Sequence, residues 1–150
     1  FFPWALVSLL AKDLTVVSGD SNGNVQFWDT TTGTLLQALK THDADVLTMA
    51  LAESGDRLFV SGVDNKIVEL RRVTVSEQTP DGPVAREKWV LSGKRRDHTH
   101  DVRALALSPG AGGLLVSGGI DCNLMVYSTE AFGQLGTSHR KIPPFAHVRA

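Results

Sequence analysis

The sequence predicts an all-β fold: about three four-stranded blades of a β-propeller whose ring is incomplete. Three observations carry this. The segments VSGDSNGNVQFWD (17–29), FVSGVDNKIVELR (59–71) and VSGGIDCNLMVYS (116–128) share one pattern of small residues, a turn residue and an alternating strand. Counted from the turn residues Asn22, Asp64 and Asp121, a large residue stands six later each time, at Trp28, Leu70 and Tyr127. No long segment holds its apolar residues at helical spacing. A repeat of roughly 40 to 45 residues carrying four short strands is the unit of a propeller blade.

The blades are expected over about 1–41, 42–97 and 98–145, within a single partial propeller spanning 1–150. In the first, WALVSLL (4–10) stands where an opening strand belongs. In the second, strands are expected at about 45–51, 57–62, 66–72 and 88–92, separated by the turn strings ESGD (53–56) and DNK (64–66). DVLTMAL (45–51) aligns with DVRALAL (101–107), so Val46, Met49 and Leu51 match Val102, Leu105 and Leu107. These strands alternate little, as expected of an innermost strand covered on both faces. The period is 42 residues from Asn22 to Asp64 and 57 from Asp64 to Asp121. The excess is assigned to an insertion loop over about 73–87, where TVSEQTPDGPVARE (74–87) holds two prolines, a glycine and mixed charge. Three blades fall short of the four to eight of a closed ring, and PPFAHVRA (143–150) stands where a fourth unit begins. The chain therefore reads as a fragment that, alone, exposes inter-blade apolar surface.

Composition narrows the function. With 150 residues, 42% hydrophobic, 21% charged and a net charge of −1, the chain is an ordinary globular domain without a global field for nucleic acid or acidic membrane. Any such binding needs a local patch. A single cysteine, Cys122, forbids an internal disulfide and argues against a cysteine-built zinc site, so an intracellular setting is expected. The opening FFPWALVSLLAK lacks a basic segment before its apolar run and is too short to span a bilayer, so it reads as a strand rather than a signal peptide.

Two histidines in DHTHDVR (97–103) invite a metal or catalytic reading. Register weighs against it. His42 lies four residues before Val46 and His98 four before Val102, so His98 is a repeated position and His100 is not. A recurring residue serves the blade rather than one site. Ser117, His98 and Asp121 are the residue types of a hydrolase triad, but no nucleophile elbow G-x-S-x-G is present. No Cys/His cluster accompanies His98 and His100, so no metal is assigned. SPGAGG (108–113) lacks the Lys-Ser/Thr ending of a phosphate loop and reads as a turn. Lys94, Arg95 and Arg96 form a basic run, with Arg71, Arg72, Arg86 and Lys88 upstream in the same blade. Such a run is either a solvated edge or a contact to RNA phosphate or an acidic protein. His100 and Arg103, outside the repeat pattern, join it as candidate partner or RNA contacts. Without stacking aromatics, any RNA contact is directed at the backbone.

The WD at 28–29, the SG…D turns and the periodic histidine resemble the WD-repeat family. That resemblance implies a hydrogen-bonded tetrad in each blade. In the third blade it falls on His98, Ser117, Asp121 and Tyr127, with Tyr in place of the usual Trp. The second blade keeps His42 and Asp64, with Val60 and Leu70 at the other places. The first shows Ser18, Asn22 and Trp28. More narrowly, SGDSNGNVQFWDTTTGTLLQ, THDADVLTMA, HTHDVRALA, LVSGGIDCNLMVY and RKIPPF resemble the cirhin family, over about 4–145. Leu70 and Cys122 depart from its pattern. This resemblance implies a non-enzymatic, nucleolar scaffold of the small-subunit processome. Such a scaffold supports 18S maturation and linked rDNA transcription, with other processome proteins and the pre-rRNA ribonucleoprotein as partners. It implies no cofactor, membrane or small-molecule substrate. The alternative is a WD-repeat adaptor elsewhere, such as a ubiquitin-ligase substrate receptor, since fold alone does not fix function.

Overall fold

A computed structural model describes residues 8–10, 14–110, 113–132 and 139–141. Among them every regular element is a strand, and the strands form three four-stranded antiparallel meanders. The first comprises β1 (Ser8–Leu10), β2 (Thr15–Gly19), β3 (Asn24–Asp29) and β4 (Leu35–Lys40). The second comprises β5 (Val46–Leu51), β6 (Arg57–Gly62), β7 (Ile67–Thr79) and β8 (Gly82–Arg95). The third comprises β9 (Val102–Leu107), β10 (Leu114–Gly119), β11 (Leu124–Ser128) and β12 (His139–Lys141). Each meander is a propeller blade. Residues 4–7 of the expected opening strand, 111–112 of the SPGAGG turn and the string 143–150 lie outside the described residues.

The repeat read from the sequence recurs in strand register. Val16 pairs with Trp28, Leu58 with Leu70 and Leu115 with Tyr127, the same offset three times. The residue after each turn position then takes a left-handed conformation, Gly23 at φ 81°, Asn65 at 57° and Cys122 at 61°. That conformation suits Gly and Asn and disfavours other side chains, so Cys122 carries local strain.

One expectation is corrected. Residues 73–87 are not a loop but the far part of a hairpin, in which β7 and β8 pair without a break from Arg71 opposite Val90 to Thr79 opposite Gly82. The breakers that suggested a loop are concentrated at its tip. Pro80 and Asp81 make the two-residue turn, Gly82 sits at φ 113°, and the Thr79 hydroxyl donates to the Gly82 carbonyl at 2.6 Å. Behind the tip, Val73, Val75 and Val84 have the β-branched chemistry of a strand. Ion pairs between Arg72 and Glu87 at 3.2 Å and between Arg86 and Glu77 at 3.3 Å link the two strands.

The blades bury their apolar residues against each other. Val17, Val25 and Phe27 of the first blade join Val46, Met49, Leu58, Val68, Leu70 and Trp89 of the second in one cluster. Phe27 stacks on Trp89 with ring centroids 5.1 Å apart and planes 15° from parallel. The Gln37 side chain brackets the Trp89 peptide, donating to its carbonyl at 2.7 Å and accepting its N–H at 2.9 Å. On the other side, Phe59 and Ile67 meet Val102, Leu115, Met125, Tyr127 and Phe132 of the third blade. Here a buried charge crosses as well. Arg57 Nε donates to Glu69 Oε1 at 2.7 Å, and Arg57 also donates to the Thr129 carbonyl of the third blade. Glu69 is fully buried, so this guanidinium both neutralises it and ties two blades together.

Candidate functional site

The rim where β4 leads into β5 and β8 into β9 carries the sequence-singled residues. In the third blade, β10 ends in a turn that presents Asp121 back toward the segment before β9. His98 Nδ1 lies 3.0 Å from Asp121 Oδ2, and His98 Nε2 lies 2.7 Å from Ser117 Oγ. A carboxylate only accepts, so Nδ1 carries the proton and Nε2 accepts from the serine hydroxyl. The Thr99 and Asn123 N–H groups also donate to Asp121, at 3.0 and 3.1 Å. Burial works to raise the Asp121 carboxyl, but these backbone donors and His98 outweigh it and hold it below its ordinary value. Tyr127 completes the cluster. Burial pushes its phenol well up, with Ser117 and Asp97 as its polar neighbours. Gly119 makes the approach possible, because a Cβ there would sit 2.8 Å from the Asp101 carbonyl and 3.0 Å from His98 Nδ1.

The second blade has the same frame with different bonds. The Asp43 N–H donates to Asp64 Oδ2 at 2.9 Å, as the Thr99 N–H does to Asp121. His42 Nε2, however, stands 3.6 Å from Asp64 Oδ1, beyond hydrogen-bond range. Its ring bonds the Thr41 hydroxyl at 2.8 Å and the Lys66 carbonyl at 3.2 Å instead. With Val60 at the serine place, Nε2 has no hydroxyl to meet. Burial pushes fully buried His42 below its ordinary value, with Asp64 opposing.

In the first blade, Trp28 Nε1 donates to Ser18 Oγ at 2.9 Å. Asn22 does not supply the turn acceptor expected of it: it is exposed, and it is engaged through its backbone, its N–H donating to Asp20 and its carbonyl accepting from Lys40. Asp20, two residues earlier and buried, does that work, accepting from the N–H groups of Asn22 and Asn24 at 2.9 Å each and from Asn24 Nδ2 at 3.0 Å. Asp20 occupies the place of Gly62 and Gly119, so the carboxylate comes from strand end rather than turn. The string DSNG was the missed signal, an Asx turn running into a glycine.

Ser117, His98 and Asp121 do come together, but in the interior. Ser117 is completely buried, and a nucleophile needs a cleft, an oxyanion hole and access. Among the described residues, no group of three His, Cys, Asp or Glu is placed to hold a metal ion.

The basic run divides by strand alternation. Lys94 and Arg96 are exposed, as are His100 and Arg103. Arg95 is not part of the outer patch: its side chain is only 10% exposed, donates to Asp97 at 3.1 Å and lies over the Tyr127 ring at 5.8 Å. It pairs opposite Ile67, on the face turned to the third blade, whereas Lys94 pairs opposite Val68, on the face turned to the first. Arg103 reaches its neighbour Asp101 at 3.4 Å, and His100 bonds the Thr99 hydroxyl at 2.9 Å. The upstream cations Arg71, Arg72 and Arg86 each meet a glutamate. Missed altogether were the inter-blade residues Gln37, Arg57, Glu69 and Phe132, which have no counterpart in the repeat pattern.

Blades of one register, with a histidine-carboxylate link beneath the turn of the third and a Trp-Asp closing the third strand of the first, define a WD-repeat propeller protein. The chain belongs to the family of the WD domain, G-beta repeat, matching it over residues 33–68 and 87–128. It is also similar to proteins named U3 small nucleolar RNA-associated protein 4. Identity is 37% over 140 residues with that of Schizosaccharomyces pombe, covering 93% of this chain and 18% of the relative. It is 35% over 141 residues with that of Saccharomyces cerevisiae, covering 93% and 17%. With the Homo sapiens homolog it is 36% over 122 residues, covering 81% and 16%. The chain thus spans under a fifth of the length of these relatives.

Proposed function

We propose that this chain is part of a cirhin-family scaffold of the small-subunit processome, acting in the nucleolus on pre-rRNA maturation toward 18S and on linked rDNA transcription. One observation carries the reading: similarity to proteins named as U3 small nucleolar RNA-associated runs through nearly the whole chain, across blade edges and turns, rather than through the repeat signature alone. The site chemistry fits a scaffold. The triad-like residues are spent inside the blade, where buried polar groups need partners, and the outer rim offers cations. In this reading the tetrad positions hold the turns, no reaction is catalysed, and partners are processome proteins and ribonucleoprotein contacted through phosphates. Affinity purification of the protein as expressed from its gene tests it. Processome proteins and pre-rRNA are expected in the eluate; a eluate holding ubiquitin-ligase subunits instead would favour the adaptor reading and reject this one.

A further inference from the structure

We propose that the groove between the first two blades, lined by Lys40, Lys66 and Lys94, binds a phosphodiester of single-stranded RNA. This rests on the ribonucleoprotein reading above and names the place of contact. The groove opens at the histidine rim as a cavity of about 380 Å³, within the span of small-ligand clefts of about 300–1,000 Å³. Its walls include the Thr41, Ser92 and Gly93 edges and the exposed Leu91.

Three elements bring the cations together from distant sequence. Lys40 ends β4, Lys66 precedes β7, and Lys94 lies near the end of β8 on the face turned to the first blade. Lys40 Nζ gives one hydrogen to the Asn22 carbonyl, which fixes its position and leaves two donors. Lys66 is held between Asp43 and Asp64 at 3.0 Å each, and Asp43 also feels Lys40 and Arg96. Three lysines thus line the groove, of which Lys66 is paired with Asp43 and Asp64 and Lys40 also feels Asp20, so Lys40 and Lys94 present its positive charge. Ser92 is a further element. Glu69 pairs with Gly93 and Leu70 with Leu91, so Ser92 is a bulge, outside the ladder and free to present its hydroxyl at the wall.

The donor set favours phosphate over carboxylate. A planar carboxylate is matched best by the arginine fork, and among the described residues no arginine lines the groove, Arg95 being turned to the opposite face. Ammonium groups at several angles with a hydroxyl suit the tetrahedral oxygens of phosphate. Among the described residues no aromatic ring lines the groove, so the contact reads the backbone and not the base.

The test is fluorescence anisotropy of a labelled 20-nucleotide oligouridylate with the protein as expressed from its gene, between 50 and 200 mM KCl. Lys40→Gln with Lys94→Gln is compared with wild type and with Arg86→Gln plus Lys88→Gln, changed on the outer hairpin. Losing the groove's phosphate contact lowers the logarithmic salt slope by about 0.7, so the groove variant loses about 2.6-fold less affinity over that range than wild type. At 50 mM it binds about tenfold more weakly or worse, and the hairpin variant matches wild type. Equal affinity and slope for the groove variant overturn the site while leaving RNA binding intact. Oligoglutamate binding that depends on Lys40 and Lys94, without oligouridylate binding, overturns the ligand class. Failure of wild type to bind oligouridylate at 50 mM also overturns the proposal. The processome reading is judged separately, by what co-purifies with wild type.

Discussion

Replacing His98 with alanine tests whether the buried network of the third blade holds its turn. The imidazole is fully buried and links two elements, reaching Asp121 at 3.0 Å and Ser117 at 2.7 Å. Asp121 keeps the Thr99 and Asn123 N–H donors after the change, so its loss is at the low end, about 1 kcal/mol. The fully buried Ser117 hydroxyl is left without its acceptor, which costs about 1 kcal/mol more. The void left by the ring brings the total to about 3 kcal/mol. Hydrogen–deuterium exchange of the protein as expressed from its gene reads this locally. A loss of 3 kcal/mol multiplies exchange by about 100 if opening of this turn exposes the amides, most visibly at Thr99 and Asn123. Ser117→Ala costs about 1 kcal/mol, and the double variant costs less than the sum, because both single changes break the same bond. Strict additivity, or a His98→Ala variant with wild-type protection at those amides, would refute the network.

The remaining predictions concern charge, strain and pH. Arg57→Ala leaves Glu69 buried with only the Arg71 contact at 3.2 Å, and lowers stability by about 3 kcal/mol in chemical denaturation, whereas Arg57→Met with Glu69→Leu restores most of it. Cys122→Asn relieves a left-handed cysteine and raises stability by about 1 kcal/mol; an unchanged or lower denaturation midpoint would count against strain at this position. His42 gives a pH signature. Its folded pKa lies below the ordinary 6.5, so below that pH the unfolded chain takes up a proton that the native state refuses. Its contribution is complete above about pH 6.5 and falls as pH drops toward the folded pKa, by up to about 1.4 kcal/mol per pH unit. Denaturation midpoints at pH 7.5, 6.5 and 5.5 should fall more steeply for wild type than for His42→Gln; parallel profiles would count against this origin.

Much of the blade was legible because it is local. Turn residue, left-handed successor and large residue six positions on are fixed by a strand pair and its turn, so Asn22, Asp64 and Asp121 mark three equal registers without knowledge of neighbours. The recurrence of His42 and His98 likewise placed them beneath turns. Loop against strand at 73–87 was harder, because Pro80, Gly82 and Pro83 punctuate a tip and leave the flanking pattern to speak for itself.

The sequence by itself determined the repeat, the strand order within a blade and the residues that face the turn, since these depend on periods of two and on turn chemistry. Only the tertiary structure decided how each blade's partners are used. Val60 in place of serine sends the His42 ring to Thr41 and Lys66, while Ser117 keeps His98 in its link to Asp121. It alone separated Arg95 from Lys94, because alternate residues of β8 face different blades and only packing says which blade lies on which side. It alone joined Lys40 to Lys94, which are far apart in sequence, and Arg57 to Thr129, because contacts between blades follow from how sheets stack and not from any pattern along one strand.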